Sequence, residues 1–364
     1  MNQETYRKLI SGQIAGLSAV FLRFFLMACS IVYIAVIRLR NFLYSRGWLK
    51  THTASVPVIS IGNITTGGTG KTPLVIWLYN LLQKKEIRCA ILTRGYKTRI
   101  QPQATSDERR ATKTDEPAIL TESCPQAKVI VNPDRVAGAI EAVNKFGAKV
   151  LILDDGFQHR RLDRDIDIVA IDATCPFGYG KTLPAGLLRE PLRSLKRADA
   201  VVLTRCDQTS EAQLSRIKEK LYLINPDLII ARSIHNPTCA KTVNGEEIAF
   251  DKLKGKRIFA FCGIGNPGAF FSTIKKLRAN LIGSKVYNDH HDYTSTDMTD
   301  ICQKGQNLRA DYILTTHKDR TKIASLPLPQ KGIPLVYLNI ELKFTDGEDG
   351  LKKLIENALA GKIS

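Results

Sequence analysis

The chain has 364 residues, 44% hydrophobic and 24% charged, a folded composition long enough for two domains with separate cores, which excludes a disordered or fibrous protein. Fifty-three Lys and Arg against 35 Asp and Glu leave a net charge of +18, which implies an anionic partner: a nucleic acid, an acidic membrane face or a phosphorylated substrate. Eight cysteines, at 29, 89, 124, 175, 206, 239, 262 and 302, are scattered with no CxxC pair, so they read as small apolar filler in a reducing compartment.

Residues 14–37 read IAGLSAVFLRFFLMACSIVYIAVI, apolar apart from small polar residues and Arg23. The run is too long for a cleavable signal and lacks a small-residue cleavage site. Its uninterrupted part, Phe24–Ile37, falls short of the roughly 20 residues that cross a bilayer, although the whole stretch with Arg23 snorkelling just reaches. Residues 1–50 carry seven Lys or Arg and one Glu, and basic residues beside an apolar run suit an anionic leaflet. The spacing therefore predicts a membrane-associated helix over residues 1–46, lying in the interface; a buried core helix and a true span are the alternatives.

Val56–Ile61 is a short β-branched run of buried-strand type. It leads into Gly62-Asn-Ile-Thr-Thr-Gly67-Gly68-Thr69-Gly70-Lys71-Thr72-Pro73, and the apolar helical pattern LVIWLYNLL follows. Strand, glycine loop ending in GKT, then helix is a phosphate cradle: the amides of Gly67 to Gly70 face a β-phosphate, Lys71 reaches the β/γ oxygens and Thr72 holds Mg²⁺. The strict pattern would place a first glycine at 65, where the chain has Thr65. Ile91-Leu-Thr-Arg94-Gly95-Tyr96 is a strand with a basic turn. Asp115 and Glu116, before Pro117, fit equally an acidic functional loop and an ordinary helix start.

A second buried-strand run, Val150–Leu153, ends in Asp154-Asp155-Gly-Phe-Gln158-His159-Arg160-Arg161. Carboxylates at the carboxyl end of such a strand lie beside the ligand crevice, where a P-loop protein directs an Asp at Mg²⁺. Asp154 and Asp155 are both candidates, one for the metal and one to orient the turn. Further strands are expected at 167–171 and 200–203, the latter running into Thr204-Arg205-Cys206-Asp207. That tetrapeptide weakly resembles the base-reading TKxD of GTPases, and an ordinary strand-end turn is the simpler reading. Lys256–Phe261 opens another alternating unit whose turn, Cys262 to Gly268, has the wrong spacing for a dinucleotide fingerprint. The order of elements predicts an α/β fold: a P-loop NTPase-like, mostly parallel sheet with helices on both faces over 47–215, and a smaller α/β domain over 216–364 whose last helix returns to the core.

GNITTGGTGKTP, TRGY, TDEP, DDGFQHRRL, the stretch Leu183-Pro-Ala-Gly-Leu-Leu-Arg189-Glu190, Asp289-His290-His291 and Thr316-His-Lys-Asp319 together resemble the tetraacyldisaccharide 4'-kinase family, and the ordered match covers most of the chain. The resemblance implies transfer of the ATP γ-phosphate to the 4'-hydroxyl of an acylated glucosamine disaccharide 1-phosphate, at the cytoplasmic face of a bacterial inner membrane. It also implies roles: Asp115 as catalytic Asp, His290 as its partner, Glu116 as a metal-side acid, and Gln158, His159 and Arg189 on the substrate, Arg189 at a lipid phosphate. The loop of this family shares the departure at Thr65. Two other classes are weighed. A soluble P-loop GTPase or metallochaperone has no use for residues 14–37 and needs a base-specific Asp207. A nucleic-acid binder needs exposed aromatics among the basic residues or a reading module, and neither is visible.

Overall fold

The structure, a computed structural model, describes residues 3–95, 115–289, 291–324, 326 and 332–362. The chain divides into two compact units, the first formed by Met1–Arg94, Cys124–Ile234 and Leu342–Ser364, the second by Gly95–Ser123 and His235–Glu341.

The first unit holds α1 (Gln3–Ile10), α2 (Leu17–Ser45), β1 (Val58–Gly62), α3 (Lys71–Gln83), β2 (Cys89–Thr93), β3 (Lys128–Val131), α5 (Arg135–Phe146), β4 (Val150–Asp154), β5 (Ile166–Asp172), β6 (Ala200–Thr204), α6 (Glu211–Ile224), the first half of β7 (Ile229–Thr242), and α10 (Glu348–Ala360). Its strands lie in the order β7-β6-β5-β1-β4-β2-β3 and pair in parallel throughout. β1, β2, β4, β5 and β6 are buried along their whole length, which is why they read as short, mostly apolar runs. Core residues such as Val169, Leu203 and Leu221 fill one cluster, and Leu92, Ala142 and Leu151 another. Asp134 caps α5 through the amides of Val136 and Ala137, and Gly147, at φ 61°, ends it.

The second unit holds α4 (Asp115–Ser123), the rest of β7, β8 (Glu247–Ile248), β9 (Arg257–Cys262), α7 (Pro267–Lys276), β10 (Asn280–Val286), α8 (Ser295–Asn307), β11 (Tyr312–Thr316), α9 (His317–Ile323) and β12 (Leu335–Asp346), whose last residues belong to the first unit. Its parallel strands run β10-β9-β11-β12, while β8 pairs antiparallel with β7. Residues 262–268 form a strand-to-helix turn, with Asn266 capping α7.

The units divide differently from the expected boundary at 215/216. β7 continues the first sheet by pairing with β6 from Ala200↔Ile229 to Leu203↔Arg232, so that unit runs to Ile234. α4 packs on α9, its Glu122 meeting Arg320 at 3.1 Å and His317 at 3.4 Å, and so joins the second unit although its sequence lies among first-unit strands.

α2 is long and apolar enough to cross a membrane by length and composition. Much of it is bare: Leu17, Phe21 and Phe24 are 80%, 73% and 76% exposed. Its other side is docked by polar groups, Ser30 on Thr182, Tyr33 on the Arg189 carbonyl, and Arg40 and Asn41 on Glu190.

Candidate active site

β1 delivers the chain at the carboxyl edge of the first sheet, and residues 62–72 turn there into α3. Gly67 and Gly70 take φ 111° and 87°, backbone states that side chains disfavour, and Gly70 sits at the start of α3. Gly70, its N-cap, has no side chain with which to cap that helix, so its first amides are left for an anion. The loop is braced from within and below. Asn63 Nδ2 donates to Thr69 Oγ1 at 3.1 Å, and the Thr204 hydroxyl donates to the Thr69 carbonyl at 2.8 Å.

β4 lies beside β1 with Asp154 opposite Ile61. Asp154 is 3% exposed and accepts from the Thr93 hydroxyl at 3.1 Å. The next residue, Asp155, turns left-handed at φ 53°. Its Oδ1 lies 3.2 Å from Lys71 Nζ, and Arg189 Nη1 lies 2.9 Å from both of its oxygens. Burial alone would raise the Asp155 carboxyl; Lys71 and then Arg189 hold it well below the usual carboxylate range. Gly62 and Gly156 let the turn after Asp155 lie against β1, because a Cβ at Gly62 would strike Phe157 and one at Gly156 would lie 2.5 Å from Ser60 Oγ.

Gln158 joins the same group, donating from Nε2 to the Asn63 carbonyl at 2.8 Å and accepting from Arg189 at 3.3 Å. The structure thus brings Lys71, Asp155, Gln158 and Arg189 into one network, with Asp154 alongside on β4. His159 stands apart from it by contact. Its Nε2 is buried without a hydrogen-bond partner among the described residues, and burial, then Arg135 and Arg164, pushes its pKa down to about 4, so the ring is neutral at pH 7. Asp115 and Glu116 begin α4, but their side chains, like the whole of His290, lie outside the described residues. Thr72 sits in the first turn of α3, half-buried.

Three contributors escape sequence reasoning. Arg135, the first residue of α5 and 3% exposed, lies within electrostatic reach of Asp154 and Asp155; a lone Arg after an N-cap carries no signal of that. Thr93 was visible only as part of TRGY. Arg205 has φ 57°, is 6% exposed and forms a buried ion pair with Asp172. With Thr204 bound to the loop, the tetrapeptide 204–207 is a support beneath the phosphate loop.

A glycine loop between a parallel strand and a helix, with its lysine held by a carboxylate from the neighbouring strand end, defines a P-loop protein that binds nucleotide phosphates. The sequence profile of the family described as LpxK, tetraacyldisaccharide-1-P 4'-kinase, matches residues 22–360. A tetraacyldisaccharide 4'-kinase of Syntrophus aciditrophicus is 38% identical over 329 residues, 86% of this chain and 87% of the relative. One of Desulfatibacillum aliphaticivorans is 35% identical over 361 residues, 94% of each chain. The crystal structure of LpxK from Aquifex aeolicus in complex with ATP is similar at 32% identity and a TM-score of 0.69, covering 93% of this chain and 99% of that one. The chain belongs to the tetraacyldisaccharide 4'-kinase family.

Proposed function

We infer that this chain transfers the γ-phosphoryl group of ATP to the 4'-hydroxyl of a tetraacyl glucosamine disaccharide 1-phosphate, a step of lipid A biosynthesis. The observation that carries the reading is the pairing of Lys71 with Asp155 beneath an uncapped helix start, in a chain of this family. Lys71 is 10% exposed and already stripped of most of its water, so nucleotide entry exchanges one anion for another at the ammonium. The amides of 67–71 then cradle the phosphates while Lys71 moves to the β/γ oxygens. Phosphoryl transfer needs positioning and charge more than covalent help, which suits a site built from amides, a lysine and carboxylates.

The Thr72 hydroxyl and the Asp154 carboxylate, with Asp155 as a further acid, offer hard oxygen donors of the kind that fit Mg²⁺, and the resemblance gives Glu116 a metal-side role as well. When bound, that ion neutralises phosphate oxygens. Thr93 fixes the Asp154 carboxylate for such a role. We assign the base to Asp115, oriented by His290, because a sugar hydroxyl must lose its proton as the P–O bond forms. Gln158, His159 and Arg189 are assigned to the acceptor, Arg189 supplying the cation for a lipid phosphate.

The acceptor is an amphiphile, and α2 supplies the means to meet it. The contacts from Ser30 to Asn41 span about 16 Å of helix at 1.5 Å per residue and keep one side on the protein. The bare side can therefore enter one leaflet without crossing it, which supports a peripheral position; our reading puts it at the anionic cytoplasmic face of the inner membrane, where ATP is available. The test is transfer of ³²P from γ-labelled ATP to tetraacyl disaccharide 1-phosphate in detergent micelles. Label at the 4' position is expected. Nucleotide hydrolysis without labelled lipid, or transfer from GTP alone, would overturn the reading.

A further inference from the structure

Residues 182–190 have two clients within the first unit. On one side α1 and α2 hold them: Tyr6 donates to the Pro184 carbonyl at 2.8 Å, the buried Ser30 hydroxyl meets Thr182 Oγ1 at 2.7 Å, and Tyr33 donates to the Arg189 carbonyl at 2.7 Å. Glu190 is fully buried, and its two oxygens take Arg40 and Asn41 of α2 at 3.0 Å each, with Arg197 also at 3.0 Å. On the other side the segment grips the phosphate loop: the Thr66 amide donates to the Leu187 carbonyl at 2.8 Å, the Arg189 amide donates to the Ile64 carbonyl at 2.7 Å, and Thr65 and Leu188 form a bridge.

Arg189 is where the two meet. Its carbonyl accepts from α2, its amide holds the phosphate loop, and its guanidinium fixes Asp155 and, through that carboxylate, the resting place of Lys71. We propose that α2 is part of the nucleotide site, Tyr33 and Glu190 acting as positioning residues that carry the docking of this helix into the placement of Arg189 and of residues 64–66. The lipid-facing helix and the nucleotide loop then share one strut, and ATP and membrane binding are linked. Linkage is reciprocal: if docking of α2 tightens ATP, ATP tightens the hold on the membrane by the same factor.

The proposal rests on the ATP-binding part of the proposed function but not on its acceptor, so equilibrium ATP binding tests it even if disaccharide transfer fails. The full chain is titrated with ATP, free and on vesicles of phosphatidylethanolamine and phosphatidylglycerol, and vesicle partitioning is measured with and without ATP. Wild type should bind ATP more tightly on vesicles, and ATP should raise partitioning by a matching factor. Tyr33→Phe keeps the ring and removes one hydrogen bond, so ATP affinity should fall roughly fivefold and the linkage shrink. The KM for ATP should rise more than kcat falls, and Glu190→Gln should act in the same direction. Should Glu190→Gln fail to fold, Tyr33→Phe decides alone. Unchanged ATP affinity and linkage in Tyr33→Phe, or no linkage in the wild type, would overturn the proposal.

Discussion

Asp155 shows how one side chain sets the resting state of a site. Paired with Lys71 and Arg189, it stays ionised through the physiological range and keeps both cations partly desolvated and in place. Lys71→Ala removes the cation meant for the β/γ oxygens, and kcat should fall on the order of 10²–10³-fold, read by single-turnover ³²P transfer; near-normal turnover would deny the loop its role. His159 offers a test by pH. Its folded pKa of about 4 lies below the ordinary histidine value of 6.5, so the stability tied to its neutral form is complete above pH 6.5 and is lost as pH falls toward 4, where the unfolded chain takes the proton first. Denaturant midpoints followed from pH 7.5 to 4.5 should fall more steeply in wild type than in His159→Gln. Parallel curves would show that His159 does not drive the acid limb.

At the level of elements, α2 combines a bare apolar side with a docked polar one. Phe21 and Phe24 are largely exposed, and changing both to Ser should reduce vesicle partitioning by roughly a hundredfold or more, at about 1.5–3 kcal/mol for each buried Phe. The loss should persist at high salt, which screens only the basic flank; flotation of the full chain checks both. Equal flotation of variant and wild type would mean that lipid does not cover this side. The strands and the phosphate loop were legible in the sequence because fully buried parallel strands make short β-branched runs, and a GKT loop needs glycines at fixed places. Other features depend on contacts distant in sequence. Nothing local marks Glu190 as the carboxylate that receives Arg40 and Asn41, some 150 residues earlier, or Arg205 as the partner of Asp172. TDEP fitted a helix start at Asp115 and a functional loop equally well, and only the ion pairs of Glu122 with α9 assign the helix found there to the second unit.

For the molecule as a whole, that assignment places Asp115 and His290 on segments of the same unit, not on separate domains. Groups that act as one base show non-additive losses. Asp115→Ala and His290→Ala should each lower kcat strongly with little change in the KM for ATP, and the double variant should be scarcely worse than the poorer single. Multiplicative losses would separate the two roles. The first unit, by contrast, is assembled from three stretches of chain. Trp77 on α3 donates to Glu348 at 3.2 Å and lies tilted against Phe344, ring centroids 4.8 Å apart, and 271 residues separate it from that glutamate. On a ribosome adding roughly 5–20 residues per second, the nucleotide-binding sheet therefore waits some tens of seconds for its closing helix, while α2 is among the first segments to emerge. The bare face of α2 is thus formed and open well before the sheet behind it is complete.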